Sequence, residues 1–160
     1  MRTMLDTSKA AGGGDSPEDV AGALFAVTQL QWMSEYRAVI HIADAPPHGL
    51  KYHDPSMADC YLRGDHPSRN LDLEMILRQM AQMHIDYTFV RAGREKERRE
   101  TDKYVAEARR IFEDEAGKMR GIQGRVPVFR DRFLASDVPD QFLQIVLNPT
   151  HLRPPTHDGM

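Results

Sequence analysis

A chain of 160 residues, 41% of them hydrophobic and 28% charged, carries enough apolar mass for one soluble domain around one core. Its net charge of −3 offers no basic footprint for nucleic acid. A single cysteine, Cys60, excludes an intrachain disulfide and a cysteine-cluster zinc site, which points to a reducing, cytoplasmic setting.

Residues 1–11 are short and mixed in character. They have neither the apolar run of a signal peptide nor anything like the ~20 apolar residues of a membrane span, and no later stretch has them. Met4 and Leu5 read as a helix end or a frayed terminus. Then comes Gly12-Gly13-Gly14-Asp15-Ser16-Pro17-Glu18-Asp19-Val20. Ser16 suits an N-cap and Pro17 the first helical position, so the spacing predicts a helix over 17–32. The glycines give a loop whose backbone can approach a ligand, but the three acids beside them repel phosphate. A hard cation is the natural guest. The plainer reading is a capped surface helix whose acids complement its dipole.

Residues 36–43 are β-branched and apolar at nearly every position, which suits a strand buried on both faces. His41 within it reads as a core residue with a satisfied ring nitrogen. Asp44 follows at once, and Pro46, Pro47 and Gly49 stop the strand. In open α/β sheets ligands sit at the carboxyl ends of strands, so Asp44 is an acid at the ligand edge; otherwise it is a simple turn residue. Residues 50–70 form a long polar loop. His41, His48, His53 and His66 invite a zinc reading, but their spacings match no familiar ligand signature.

A helix starts at Asn70 or Asp72 and carries Leu73, Ile76, Leu77, Met80 and Met83 on one face. Residues 84–90 alternate as a second strand. The mixed-sign charge run 91–99 reads as a solvated loop or helix start. Thr101 opens a third helix with Tyr104, Val105, Ala108, Ile111 and Phe112 as its apolar stripe, broken from Ala116 onward. Residues 125–129 make a last strand, pushed to an edge by Pro127. Residues 141–147 read as a final helix, and 148–160 as a disordered tail. This alternation predicts an α/β fold with a mostly parallel, doubly wound sheet and helices on both faces.

Two motifs occur together: Gly12 to Leu24, and His41-Ile42-Ala43-Asp44-Ala45-Pro46-Pro47-His48-Gly49. Together they resemble the second half of a von Willebrand factor A domain, of the type associated with alpha-kinases and hemicentin-like proteins. Weaker likeness continues through Tyr52-His53, Gly64-Asp65, Ile85-Asp86-Tyr87, Thr101-Asp102-Lys103 and Gln141-Phe142-Leu143. The resemblance implies a remnant of the preceding helix over 1–11, a partial domain over 12–147, and the tail beyond it. It implies a metal-ion-dependent adhesion site at the carboxyl edge. Asp15-Ser16-Pro17-Glu18 looks like the integrin-β form of that site's second loop, which makes Glu18 a metal ligand with Asp15 in support. Asp44 matches the third-loop ligand. The family's first-loop motif, Asp-x-Ser-x-Ser, does not occur in the chain. Two side-chain ligands would then hold a Mg²⁺ (or Mn²⁺ or Ca²⁺), with water for the rest.

The resemblance implies a protein-interaction module rather than an enzyme. Its partner would be a protein presenting a carboxylate, with no nucleic acid or membrane involved, and another chain could supply the missing half. One alternative is a truncated remnant without function. The other is a metal-dependent hydrolase built on Asp44, His41, His48 and His53. The second lacks a nucleophile–base pair, and Cys60 has no evident activating partner.

Overall fold

The computed structural model describes residues 14–62, 70–119 and 125–134. The expected segment 1–11, the helix over 141–147 and the tail 148–160 lie outside them.

Helix α1 spans Val20–Thr28. It is shorter than the 17–32 predicted. Its N-cap is Asp19, whose Oδ1 accepts from the Gly22 N–H at 2.8 Å; Ser16 does not cap it. The reason lies just upstream. Glu18 pairs in parallel with Pro47: its N–H reaches the Pro46 carbonyl at 2.9 Å, and its carbonyl accepts from His48 N–H at 3.2 Å. Residues 17 and 18 are thereby held out of the helix. At the other end Gln29 caps, and Trp32 folds back so that its Nε1 donates to the Val27 carbonyl.

Strand β1 spans Arg37–Ala43, and helix α2 spans Leu73–Gln82 with Asp72 accepting from the Glu74 and Met75 N–H groups. His84, at φ 56°, turns the chain into strand β2, Ile85–Arg91. The charge run that follows becomes a short helix, α3 (Glu95–Glu100), with no buried residue. Helix α4, Asp102–Lys118, buries the predicted stripe and outlasts the expected break at Ala116. Strand β3 spans Phe129–Phe133, four residues later than the predicted start. Pro127 has no N–H to give a ladder, so pairing begins beyond it; Val128 instead donates to Asp86.

The three strands run parallel in the order β1-β2-β3, with Val39, Tyr87 and Phe129 in register. The fold is α/β, a parallel sheet flanked by helices. Helix α2 packs on both α1 and α4. Leu77, Met80, Tyr87, Phe89, Tyr104 and Phe112 form the centre of the core. Burial on both faces belongs to the central strand β2, every residue of which is buried. It does not belong to β1, which is half-buried and, among the described residues, has a neighbour on one side only. His41 is half-buried rather than part of the core, though its ring nitrogen is satisfied as expected. Its Nδ1 meets the Tyr87 hydroxyl at 2.7 Å, and burial pushes the ring down to about 4. At the carboxyl edge, Arg91 forks onto Asp131 and so ties β2 to β3.

Candidate functional site

The two sequence motifs meet beyond the carboxyl end of β1. The Glu18–Pro47 bridge lays the loop before α1 alongside the loop after β1. Within this pair of loops the acids fall into two different situations.

Glu18 and Asp44 are exposed, and among the described residues their carboxylates have no hydrogen-bond or ion-pair partner. Asp44 sits against the turn after β2. Gly93 has φ +81°, which favours glycine there, and a Cβ built on it would lie 3.3 Å from the Cβ of Asp44. Two free carboxylates at a sheet's carboxyl edge are oxygen donors suited to a hard cation.

Asp15 is placed differently. It lies near His48 and Asp59, and among the described residues these three form the group of acid, histidine or cysteine side chains close enough to share an ion. Glu18 and Asp44 are not in that group. His48 Nδ1 donates to Asp59 Oδ1 at 2.7 Å and lies 3.8 Å from Asp15 Oδ2. Asp15 also accepts from the Cys60 N–H at 2.7 Å. The Cys60 thiol bonds to Asp15 as well, and this raises its pKa, so the exposed thiol is held away from its reactive thiolate form.

Asp59 is the hub of the long loop. Its side chain is fully buried and accepts from the His48 ring, the His53 ring, and the Gly49 and Tyr61 N–H groups. Burial works to raise its carboxyl, but those four donors outweigh it and hold the group well below the usual carboxylate range. His53 is also fully buried. Its Nδ1 faces the Asp54 carbonyl and its Nε2 faces Asp59, each at 2.8 Å.

Of the four histidines that invite a zinc reading, only His48 falls in this group, and His66 lies outside the described residues. Nor does the structure gather Asp44, His41, His48 and His53 into one cluster. Asp59 is the residue that sequence reasoning missed. Its one signal is its place in a loop that also carries His48 and His53, and the spacing alone does not reveal a shared partner.

No known family model matches the chain, and no solved structure does. Over 82 residues the chain is 43% identical to alpha-protein kinase vwkA of Dictyostelium discoideum. That match takes in 51% of this chain and 12% of the relative, so the chain is similar to a small part of a much longer protein. No helix among the described residues is long and apolar enough to cross a membrane.

Proposed function

We propose that the chain is a protein-interaction module of the von Willebrand factor A type, without enzymatic activity of its own and working in the cytoplasm. In this reading the carboxyl edge of its sheet holds Mg²⁺ through Glu18 and Asp44, with Asp15 in support. The observation that carries the proposal is the backbone bridge between Glu18 and Pro47. It brings the two motifs of the family resemblance together at the edge where open α/β sheets bind ligands. The parallel sheet and the partial likeness to the alpha-protein kinase add support.

The donor chemistry of the residues suits such a guest, and the cation would draw Glu18 and Asp44 towards Asp15, with which they do not form an ion-sharing group in its absence. Glu18 and Asp44 offer oxygen atoms that no described side chain neutralises, in contrast to the fully bonded Asp59. The cation would supply a positive centre for a carboxylate on a partner protein. The role of the chain is to present the two acids at that edge, with the bridged loops setting the approach. The reading takes no kinase activity from the relative, of which the match takes in 12%.

The test is a thermal melt in chelator-treated buffer with and without Mg²⁺ or Mn²⁺. A cation that binds only the folded chain adds about 2.7 kcal/mol at a hundred times its Kd, a rise of several degrees. That rise should vanish in Glu18→Ala and in Asp44→Ala. A cooperative melt indifferent to both cations overturns the metal-dependent reading.

A further inference from the structure

We propose that Asp15, His48 and Asp59 form a second cation site, for a divalent first-row transition ion of the Zn²⁺ class, separate from Glu18 and Asp44. It shares Asp15 with the adhesion reading and does not depend on the other two acids. The three side chains are nearly enclosed: 12%, 9% and 0% of their surfaces are exposed. Two carboxylates therefore face a single imidazole nitrogen where water hardly reaches.

The His48 Nδ1 hydrogen occupies the place a metal would take. Its distances to the two carboxylate oxygens are 2.7 and 3.8 Å. Ligands of a tetrahedral Zn²⁺ with bonds near 2.0–2.2 Å stand about 3.3 Å apart. One contact must open and the other close by about 0.5 Å, a side-chain adjustment at that ligand spacing. Loss of that hydrogen costs Asp59 only one of its four donors. Gly49, Tyr61 and His53 remain to orient it, as the outer partners of metal-bound carboxylates do. One nitrogen and two oxygens, with a fourth position open to water, suit Zn²⁺ better than Mg²⁺, which binds mostly through oxygen and retains several waters.

The experiment is a Co²⁺ titration of the metal-free, untagged chain carrying Cys60→Ser, which removes the exposed thiol as a competing ligand. Visible absorption reports the coordination of Co²⁺. One equivalent should give the intense bands of an ion with fewer than six ligands, and one equivalent of Zn²⁺ should displace it. Asp15→Asn should weaken binding at least tenfold, and His48→Gln should abolish it. Asp15→Asn leaves the His48–Asp59 bond in place, so it decides the matter if His48→Gln fails to fold by circular dichroism. The double variant Glu18→Ala/Asp44→Ala should bind Co²⁺ unchanged. A spectrum that remains that of the hydrated ion, or bands that survive in Asp15→Asn at full affinity, overturns the proposal. So does loss of the bands in the Glu18/Asp44 double variant, which assigns the ion to the other site. The Mg²⁺ melt judges the adhesion reading independently.

Discussion

His41 shows how one half-buried side chain makes stability depend on pH. Burial lowers its pKa from 6.5 to about 4. The unfolded chain therefore takes up a proton below pH 6.5 that the folded chain refuses until about pH 4. The contribution is fully present above 6.5 and is lost progressively as pH falls towards 4. Between pH 7 and pH 5 this amounts to about 2 kcal/mol. His41→Asn keeps an acceptor for the Tyr87 hydroxyl and cannot titrate. Urea melts at the two pH values should show the variant losing about 2 kcal/mol less than the parent. Equal losses would mean that His41 is not the group responsible. Its satisfied ring nitrogen is legible in the sequence, because a lone histidine in an apolar strand needs a partner; its half-buried position is not, because β1 flanks β2 instead of lying between two strands. The Asp59 hub was not legible: its four donors come from residues 48, 49, 53 and 61, and only the folded loop makes them converge.

At the scale of elements, the cap of α1 turns on a glycine. A Cβ on Gly22 would lie 2.3 Å from Asp19 Oδ2, inside the space the capping carboxylate occupies. Alanine in a helix normally stabilises over glycine by about 1 kcal/mol, and an Asp cap is worth about the same. Gly22→Ala alone should thus come out near neutral, because it expels the cap. In an Asp19→Ala background the same change should stabilise by about 1 kcal/mol. Ser16→Ala should stay within about 0.5 kcal/mol, as expected of a surface site that caps nothing. A double-mutant cycle in urea measures all three, and additive Asp19 and Gly22 effects would refute the coupling. Helix α2 is legible from its cap and apolar spacing, since both signals are local. The start of α1 is not legible, because a non-local pairing with residues 46–48 competes with a favourable Ser-Pro start. For β3, Pro127 marks an edge strand in the sequence, but pairing starts two residues beyond it, at Phe129.

For the whole molecule, α2 is the element on which the helical layer depends. It touches both α1 and α4, and Leu77 at its centre is fully buried. Leu77→Ala should cost about 2–5 kcal/mol, a large share of the 5–15 kcal/mol that holds a domain together. Met80→Leu at the neighbouring buried position should cost less than about 1.5 kcal/mol. Denaturant midpoints would rank the two, and a mild Leu77→Ala would mean that the layer is loosely packed. The parallel alternation was visible in the sequence because apolar strands and amphipathic helices follow one another. The partners of β1 were not visible, because an apolar strand looks alike at the centre of a sheet and at its side. The bridge between Glu18 and Pro47 has a consequence in time as well as in space. The Glu18 and His48 amides each bond across it, at 2.9 and 3.2 Å, so neither can open to solvent without straining the other. In deuterated buffer the two should show the same protection relative to their intrinsic exchange, and more than their exposed neighbours. The two loops would then open as one leaf, and whatever arrests one of them would slow the clock of both.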